Sequence, residues 1–104
     1  MEQVVAFSGR LGYAGESEAR YGEMCQGIAE GARIIVLDLE RVPDVDSEGI
    51  GFLVTCLSTV QRAGGSLRLA GASEKVRQVL HITRLTTLFP VFPSVEAALS
   101  GPPG

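Results

Sequence analysis

Hydrophobic residues alternate along this chain between short continuous runs and stripes with helical spacing. Runs of about four to eight apolar residues bounded by glycine or proline are typical of strands, whereas apolar positions at i, i+3, i+4 and i+7 are typical of amphipathic helices. The runs predict strands over residues 3–9, 33–41, 66–71 and 88–93. The stripes predict helices over residues 17–32, 47–63, 73–83 and 94–100.

The second strand and the second helix have the clearest patterns. Residues 34–37 form a continuous and mostly β-branched run, which is typical of a strand covered on both faces in a parallel sheet. The predicted inward positions of the helix are Ile50, Leu53, Val54, Leu57 and Val60. The glycine pair at residues 64–65 supplies the end of this helix.

The repeated strand–helix order predicts an α/β fold with a largely parallel sheet. The 104-residue length suits one domain. We therefore expect a single domain over residues 1–100, with a mostly parallel sheet of four to five strands and about four helices. Residues 101–104, with the sequence GPPG, are predicted to form a disordered tail.

Serines lie at the predicted starts of three other helices. Ser17, Ser73 and Ser94 are candidate N-caps, because a hydroxyl oxygen can accept a hydrogen bond from a free backbone amide of the first turn. Between the first strand and the first helix, residues 9–16 read GRLGYAGE. The spacing of these glycines is not the dinucleotide-binding pattern, and the segment is predicted to be a flexible turn.

The net charge of −3 and the sequence pI of about 5.0 argue against nucleic acid as a partner. The longest apolar runs are far shorter than the roughly 20 residues that span a bilayer, so no direct membrane insertion is expected. The acidic start without a basic region is unlike a signal peptide, which favours the cytoplasm. Cys25, Cys56 and the single histidine, His81, lack the spacing of a metal site. We expect no metal, no cofactor and two reduced structural cysteines.

The stretch VPDVDSEGIGFLV, residues 42–54, places a serine among acids where a loop becomes the strongest helix. Either Asp46 or Ser47 is the predicted N-cap. The acids near the positive end of the helix dipole are Asp44, Asp46 and Glu48. Gly49 and Gly51 keep the first turn small. From the residues alone, a well-capped helix start without further function remains an open interpretation.

Two longer stretches resemble the STAS domain of bacterial anti-sigma-factor antagonists. They are IIVLDLERVPDVDSEGIGFLV, residues 34–54, and RAGGSLRLAGASEKVRQVLHITRLTTLFPVFPSVEAAL, residues 62–99. The family has the order strand, D-S-S-G or D-S-T-G, amphipathic helix, GG turn, strand, short helix and an LF-PVF end. VAFSGRLG is a weaker match to the family's G-E-L-D segment. This chain departs from the family in having Glu48 at the second hydroxyl position and Gly12 at the acid that follows the first strand.

The resemblance implies a switch at Ser47, which directly follows the motif aspartate, Asp46. In such antagonists, a serine-kinase anti-sigma factor phosphorylates this serine and thereby breaks its own complex with the antagonist, and a phosphatase restores it. The helix 47–63 and its preceding loop form the predicted partner surface. Its residues are Asp46, Ser47, Glu48, Gly49, Gly51, Thr55 and Ser58, and four of these, Glu48, Gly51, Thr55 and Ser58, are predicted to be exposed.

Two other functions remain open at this point. The chain could be a STAS interaction module without phosphorylation, in a signalling assembly or in a lipid-transport ATPase complex. An enzyme would need a base for Ser47, and His81 has no evident orienting group; the nucleophile pattern G-x-S-x-G is also missing. We therefore do not expect an enzyme. The sequence leaves open the sigma and anti-sigma factors, the regulated process and the oligomeric state.

Overall fold

Four parallel strands form one sheet in the order β1-β2-β3-β4, as the strand–helix alternation predicts. The computed structural model describes residues 1–101. The strands are β1 (Glu2–Ser8), β2 (Ile34–Arg41), β3 (Ser66–Ala70) and β4 (Val91–Phe92). The helices are α1 (Glu16–Ala29), α2 (Ser47–Arg62), α3 (Glu74–Ile82) and α4 (Val95–Ser100), and a short 3-10 helix lies at Leu85–Thr87. Residues 102–104 of the predicted tail lie outside the described residues.

Strand β2 is covered on both faces, which confirms the interpretation of its continuous apolar run. Ile35, Leu37 and Leu39 belong to the main core cluster, together with buried residues of α1 and α2. Val36 points to the opposite face, where it packs with Ala70 and with Ala98 of α4. The first four residues of β2, residues 34–37, reflect this cover on both faces, whereas Asp38 and Glu40 lie towards the carboxyl end of the strand, where cover is less complete.

The buried face of α2 differs from the predicted stripe. Val54 is 40% exposed and Ile50 is only half-buried, whereas Phe52 and Cys56 are buried. The ring of Phe52 makes edge-to-face contacts with three aromatic rings, those of Phe7, Tyr13 and Tyr21. Because an aromatic ring buries more apolar area than valine does, the helix turns so that Phe52 enters the core.

The predicted serine caps hold for two helices and fail for α1. Ser73 accepts from the amide of Val76, and Ser94 accepts from the amide of Ala97. The N-cap of α1 is Gly15, whose φ of 65° lets the chain turn into the helix. Ser17 lies inside the first turn of α1 and is buried, so its hydroxyl is used elsewhere.

Candidate functional site

Helix α2 begins at the carboxyl edge of the sheet, directly after the loop that follows β2. Val42 and Val45 anchor this loop in the core, and the residues between them are exposed. Asp46 has an extended backbone, and its Oδ1 accepts a hydrogen bond from the amide of Gly49 at 2.9 Å. Asp46 is therefore the N-cap, which settles the choice between Asp46 and Ser47.

Ser47 is the first residue of α2 and is exposed. Within residues 1–101, no hydrogen bond from another group reaches its hydroxyl, in contrast to the engaged hydroxyls of Ser73 and Ser94. Because Asp46 already caps the helix, the Ser47 hydroxyl has no structural task there. It lies at the helix N-terminus, where several backbone amides lack intrahelical acceptors.

Arg10, in the loop between β1 and α1, joins the two acids that flank Ser47. Its Nε donates to Asp46 Oδ2 at 2.9 Å, and its Nη2 lies 2.7 Å from the same oxygen and 3.3 Å from Glu48 Oε1. The amide of Gly49 and the Arg10 guanidinium hold the pKa of Asp46 below its usual value. The Asp46 carboxylate raises the pKa of Arg10 in turn. One guanidinium therefore contacts the carboxyl groups of both residues that flank Ser47.

Glu48 fills the space that a side chain at position 12 would take. Its Oε2 accepts from the amide of Tyr13 at 3.1 Å, and a Cβ added to Gly12 would overlap this same oxygen. The two departures from the family pattern, Gly12 and Glu48, are thus in contact with each other. A carboxylate from the helix occupies the region where the family pattern has a carboxylate from the loop.

The loop of residues 9–15 is fixed to the rest of the domain by a buried side chain and by hydrogen bonds, so its prediction as a flexible turn is wrong. Leu11 is buried at 1% exposure. The Ser17 hydroxyl accepts from the amide of Gly12 and donates to the carbonyl of Arg10, both at 3.2 Å. The amide of Gly9 donates to the carbonyl of Arg41 at 3.0 Å. These contacts hold Arg10 and Tyr13 beside the start of α2.

The predicted partner residues separate into exposed and covered positions. Asp46, Ser47, Glu48 and Ser58 are exposed, as the helix pattern suggested for Glu48 and Ser58. Gly51 and Thr55, which were also expected to be exposed, are half-buried beneath Tyr13, whose hydroxyl lies 3.2 Å from Thr55 Oγ1. Gly49 is buried, and a Cβ there would meet Val45 and Leu11. Its role is close packing of the loop against the helix.

Sequence reasoning missed three residues that shape this surface. Tyr13 is 51% exposed and Val54 is 40% exposed, and both lie on or over the outer face of α2. Arg10 stands where the family's G-E-L-D segment has glutamate, opposite a helix position where Glu48 replaces a hydroxyl. A positive charge in place of a negative one, together with a new carboxylate in place of a neutral hydroxyl, is the signal in the sequence that identifies the contact.

A groove of about 840 Å³ lies between α3 and β4, where Arg77, His81 and Phe92 are among its lining residues, and none of residues 44–48 contributes to it. Over residues 1–101, no helix has the length and apolar character needed to cross a membrane. The arrangement is suited to docking of a protein and to modification of one exposed hydroxyl.

Comparison with known proteins agrees with the fold and with the family resemblance. A family model described as the STAS domain matches residues 6–98. A Thermotoga neapolitana protein, whose name describes it as an anti-sigma factor antagonist, is 33% identical over 70 residues, which cover 67% of this chain and 62% of that protein. This match thus spans less than two thirds of the relative's length.

Two solved structures extend the comparison. The crystal structure of an anti-sigma factor antagonist from Thermotoga maritima has a TM-score of 0.73 at 25% identity, covering 92% of this chain and 84% of that one. The STAS domain of a SulP transporter from Vibrio cholerae has a TM-score of 0.78 at 26% identity, covering 95% of this chain and 78% of that one. The same fold therefore occurs in a protein named as an anti-sigma factor antagonist and in a domain of a SulP transporter.

Proposed function

The chain belongs to the STAS domain family, whose members are binding and regulatory modules, and on this premise we propose that it is an anti-sigma-factor antagonist switched by phosphorylation of Ser47. Its partner is an anti-sigma factor that is also a serine kinase. The unphosphorylated chain binds this partner and so frees the sigma factor. Phosphorylation ends the complex, and a phosphatase restores the binding form.

The exposed, unengaged hydroxyl of Ser47 is the observation that carries this proposal. Ser73 and Ser94 use their hydroxyls as N-caps, and modification there would uncap a helix. Asp46 performs this task for α2, so Ser47 can change its chemical state while the cap stays intact. A kinase can approach Ser47 because the residue is exposed at the edge of the domain.

The phosphoryl transfer uses ATP held by the partner kinase. The Ser47 Oγ attacks the γ-phosphorus, the bond from this phosphorus to the bridging oxygen of ADP breaks, and the serine proton passes to a base of the kinase. This chain supplies the nucleophile and its placement. The helix amides and the Arg10 guanidinium lie close to the new phosphate and favour its negative charge.

The fold should tolerate the phosphate, because attraction and repulsion at the site oppose each other. A phosphoserine adds about −1.5 to −2 charges. Asp46 and Glu48 repel it, whereas the helix N-terminus and Arg10 attract it. A docked partner surface is less tolerant, since the added charge must be desolvated against it. We expect partner affinity to fall by about 10²-fold or more while the unfolding midpoint changes little.

The experiment combines this chain and ATP with serine-kinase anti-sigma factors encoded in the same genome. Mass spectrometry should place one phosphate on Ser47 and none on the Ser47→Ala protein. Ser58→Ala is the matched control, because Ser58 is an exposed serine about 16 Å further along the same helix. In binding assays, Ser47→Ala should retain affinity and Ser47→Asp should lose it. Equal affinities of these two proteins would refute the switch.

A second candidate is a STAS interaction module that is never phosphorylated. The observation that favours it is Glu48, which places a permanent carboxylate beside Ser47 and pairs it with Arg10. The similarity to a SulP transporter domain is consistent with such a role within a larger assembly. In this case Ser47 would remain unmodified in cells, and the chain would co-purify with a transporter, a lipid-transport ATPase or a signalling assembly.

A further inference from the structure

Arg10 is the one cation that contacts both neighbours of Ser47 in the described part of the chain. Its side chain is 69% exposed, so the guanidinium can move without leaving a buried partner behind. Its backbone, in contrast, is fixed, because the Arg10 carbonyl accepts from Ser17 and Leu11 beside it is buried. Arg10 therefore combines a guanidinium that can move with a fixed backbone, and it lies beside the two residues that flank Ser47.

We propose that Arg10 receives the phosphate of Ser47, and that its guanidinium transfers from Asp46 and Glu48 to the phosphate when Ser47 is phosphorylated. This inference rests on the proposed function for the identity of the modification. It goes further because it assigns to Arg10, a loop residue, the binding of the phosphate on Ser47. The family's G-E-L-D segment has glutamate at this place, whereas this chain has Arg10.

The chemistry favours the transfer. A phosphate dianion concentrates in one group the charge that Asp46 and Glu48 supply from two side chains, and its oxygens match the planar fork of arginine for paired hydrogen bonds. The charged groups beside Ser47 are Arg10, Asp46 and Glu48. Lys75 of α3 lies 3.2 Å from Asp44 in the loop before α2. Arg10 is the cation best placed to respond, because it contacts both residues that flank Ser47, whereas the ion pair of Lys75 is with Asp44, three positions before Ser47.

Glu48 does not lose its place when Arg10 moves. Its Oε2 continues to accept from the amide of Tyr13, because this contact is independent of the guanidinium. Asp46 likewise continues to cap the helix through Gly49. The transfer therefore leaves the backbone in position but changes the charges presented to a partner. Asp46 and Glu48 lose their ion pairs with Arg10, and the phosphate is partly neutralised.

The test uses protein that carries phosphoserine at position 47, inserted during translation so that no kinase is needed. Phosphorus-31 NMR then measures the second pKa of the phosphate, which is about 6 for a free phosphoserine. We expect this pKa to be lower in the otherwise wild-type protein than in the Arg10→Gln protein by about half a unit to one unit. Arg62→Gln is the matched control, since it removes the same charge about 22 Å away, at the other end of α2.

An equal second pKa in the wild-type and Arg10→Gln proteins would overturn the inference. So would an equally large rise in Arg62→Gln, which would indicate a general charge effect, or a larger rise in Lys75→Gln, which would assign the phosphate to Lys75. Failure of the proposed function is a separate result. It would appear as the absence of kinase-dependent phosphate on Ser47, and it would leave the NMR comparison valid.

Discussion

Replacing Gly12 by alanine tests whether Glu48 holds the loop at the start of α2. The added methyl group has no φ penalty, because Gly12 is outside the left-handed region, but it would overlap Glu48 Oε2. Glu48 must then move away and give up its hydrogen bond from the amide of Tyr13. A hydrogen bond to a charged acceptor contributes about 1.5–3 kcal/mol when buried. Since the Glu48 side chain is 43% exposed, we expect a loss of only about 1 kcal/mol in the free energy of unfolding.

Gly12→Ala should hardly change the free energy of unfolding once the Glu48 side chain is removed. In the Glu48→Ala protein the carboxylate is gone, and Gly12→Ala should be neutral, or stabilising by up to about 1 kcal/mol, because alanine restricts the unfolded chain. Urea unfolding of the wild type, the two single variants and the double variant should therefore give a coupling free energy of about 1–2 kcal/mol between Gly12→Ala and Glu48→Ala. Gly22→Ala is the control, because Gly22 lies exposed in α1 with open space around it. It should add about 0.5–1 kcal/mol of stability in either background.

Additive effects of Gly12→Ala and Glu48→Ala, within about 0.5 kcal/mol, would refute the reasoning. They would mean that the Glu48 carboxylate does not occupy the space beside Gly12 in solution. The explanation of the two departures from the family pattern as one compensating pair would then fail. Coupling between Gly22→Ala and Glu48→Ala would instead indicate a change in the unfolded state, since the two sites have no contact in common.

Three further outcomes are expected. Burial, with a smaller effect of nearby Cys25, raises the pKa of Cys56 to about 12, so thiol reagents at pH 8 should label Cys56 only as fast as the protein unfolds. Asp46→Asn keeps an N-cap but removes a carboxyl group whose pKa in the folded protein is depressed. Above about pH 4, the thermal midpoint of the wild type should therefore exceed that of Asp46→Asn. This difference in midpoint should disappear as the pH falls below the usual aspartate pKa of 3.8. Ser58→Arg on the exposed face of α2 should weaken binding to the anti-sigma kinase by about tenfold or more at unchanged stability, whereas Gln78→Arg on α3 should leave binding unchanged.

The architecture of the domain was predictable because local patterns encode it. The apolar run of β2 requires cover on both faces, and alternation of such runs with helical stripes leads to a parallel sheet whatever the details of packing. The start of α2 was equally predictable, since an aspartate and a serine before an apolar stripe are a local capping signal, although only the structure identified Asp46 as the cap. Each of these predictions depends on residues within a few positions of one another.

The tertiary structure alone decided which side chains meet across the chain. The rotation of α2 depends on the aromatic neighbours of Phe52, which come from other elements, so Val54 faces outward against the predicted stripe. The contact of Arg10 with Glu48 joins residues 38 positions apart, and it forms because two loops end at the same edge of the sheet. The spacing of apolar residues along the chain carries no information about such long-range side-chain contacts. The sequence by itself determined the elements and the exposed serine, while folding placed beside it the arginine that sets its charge environment.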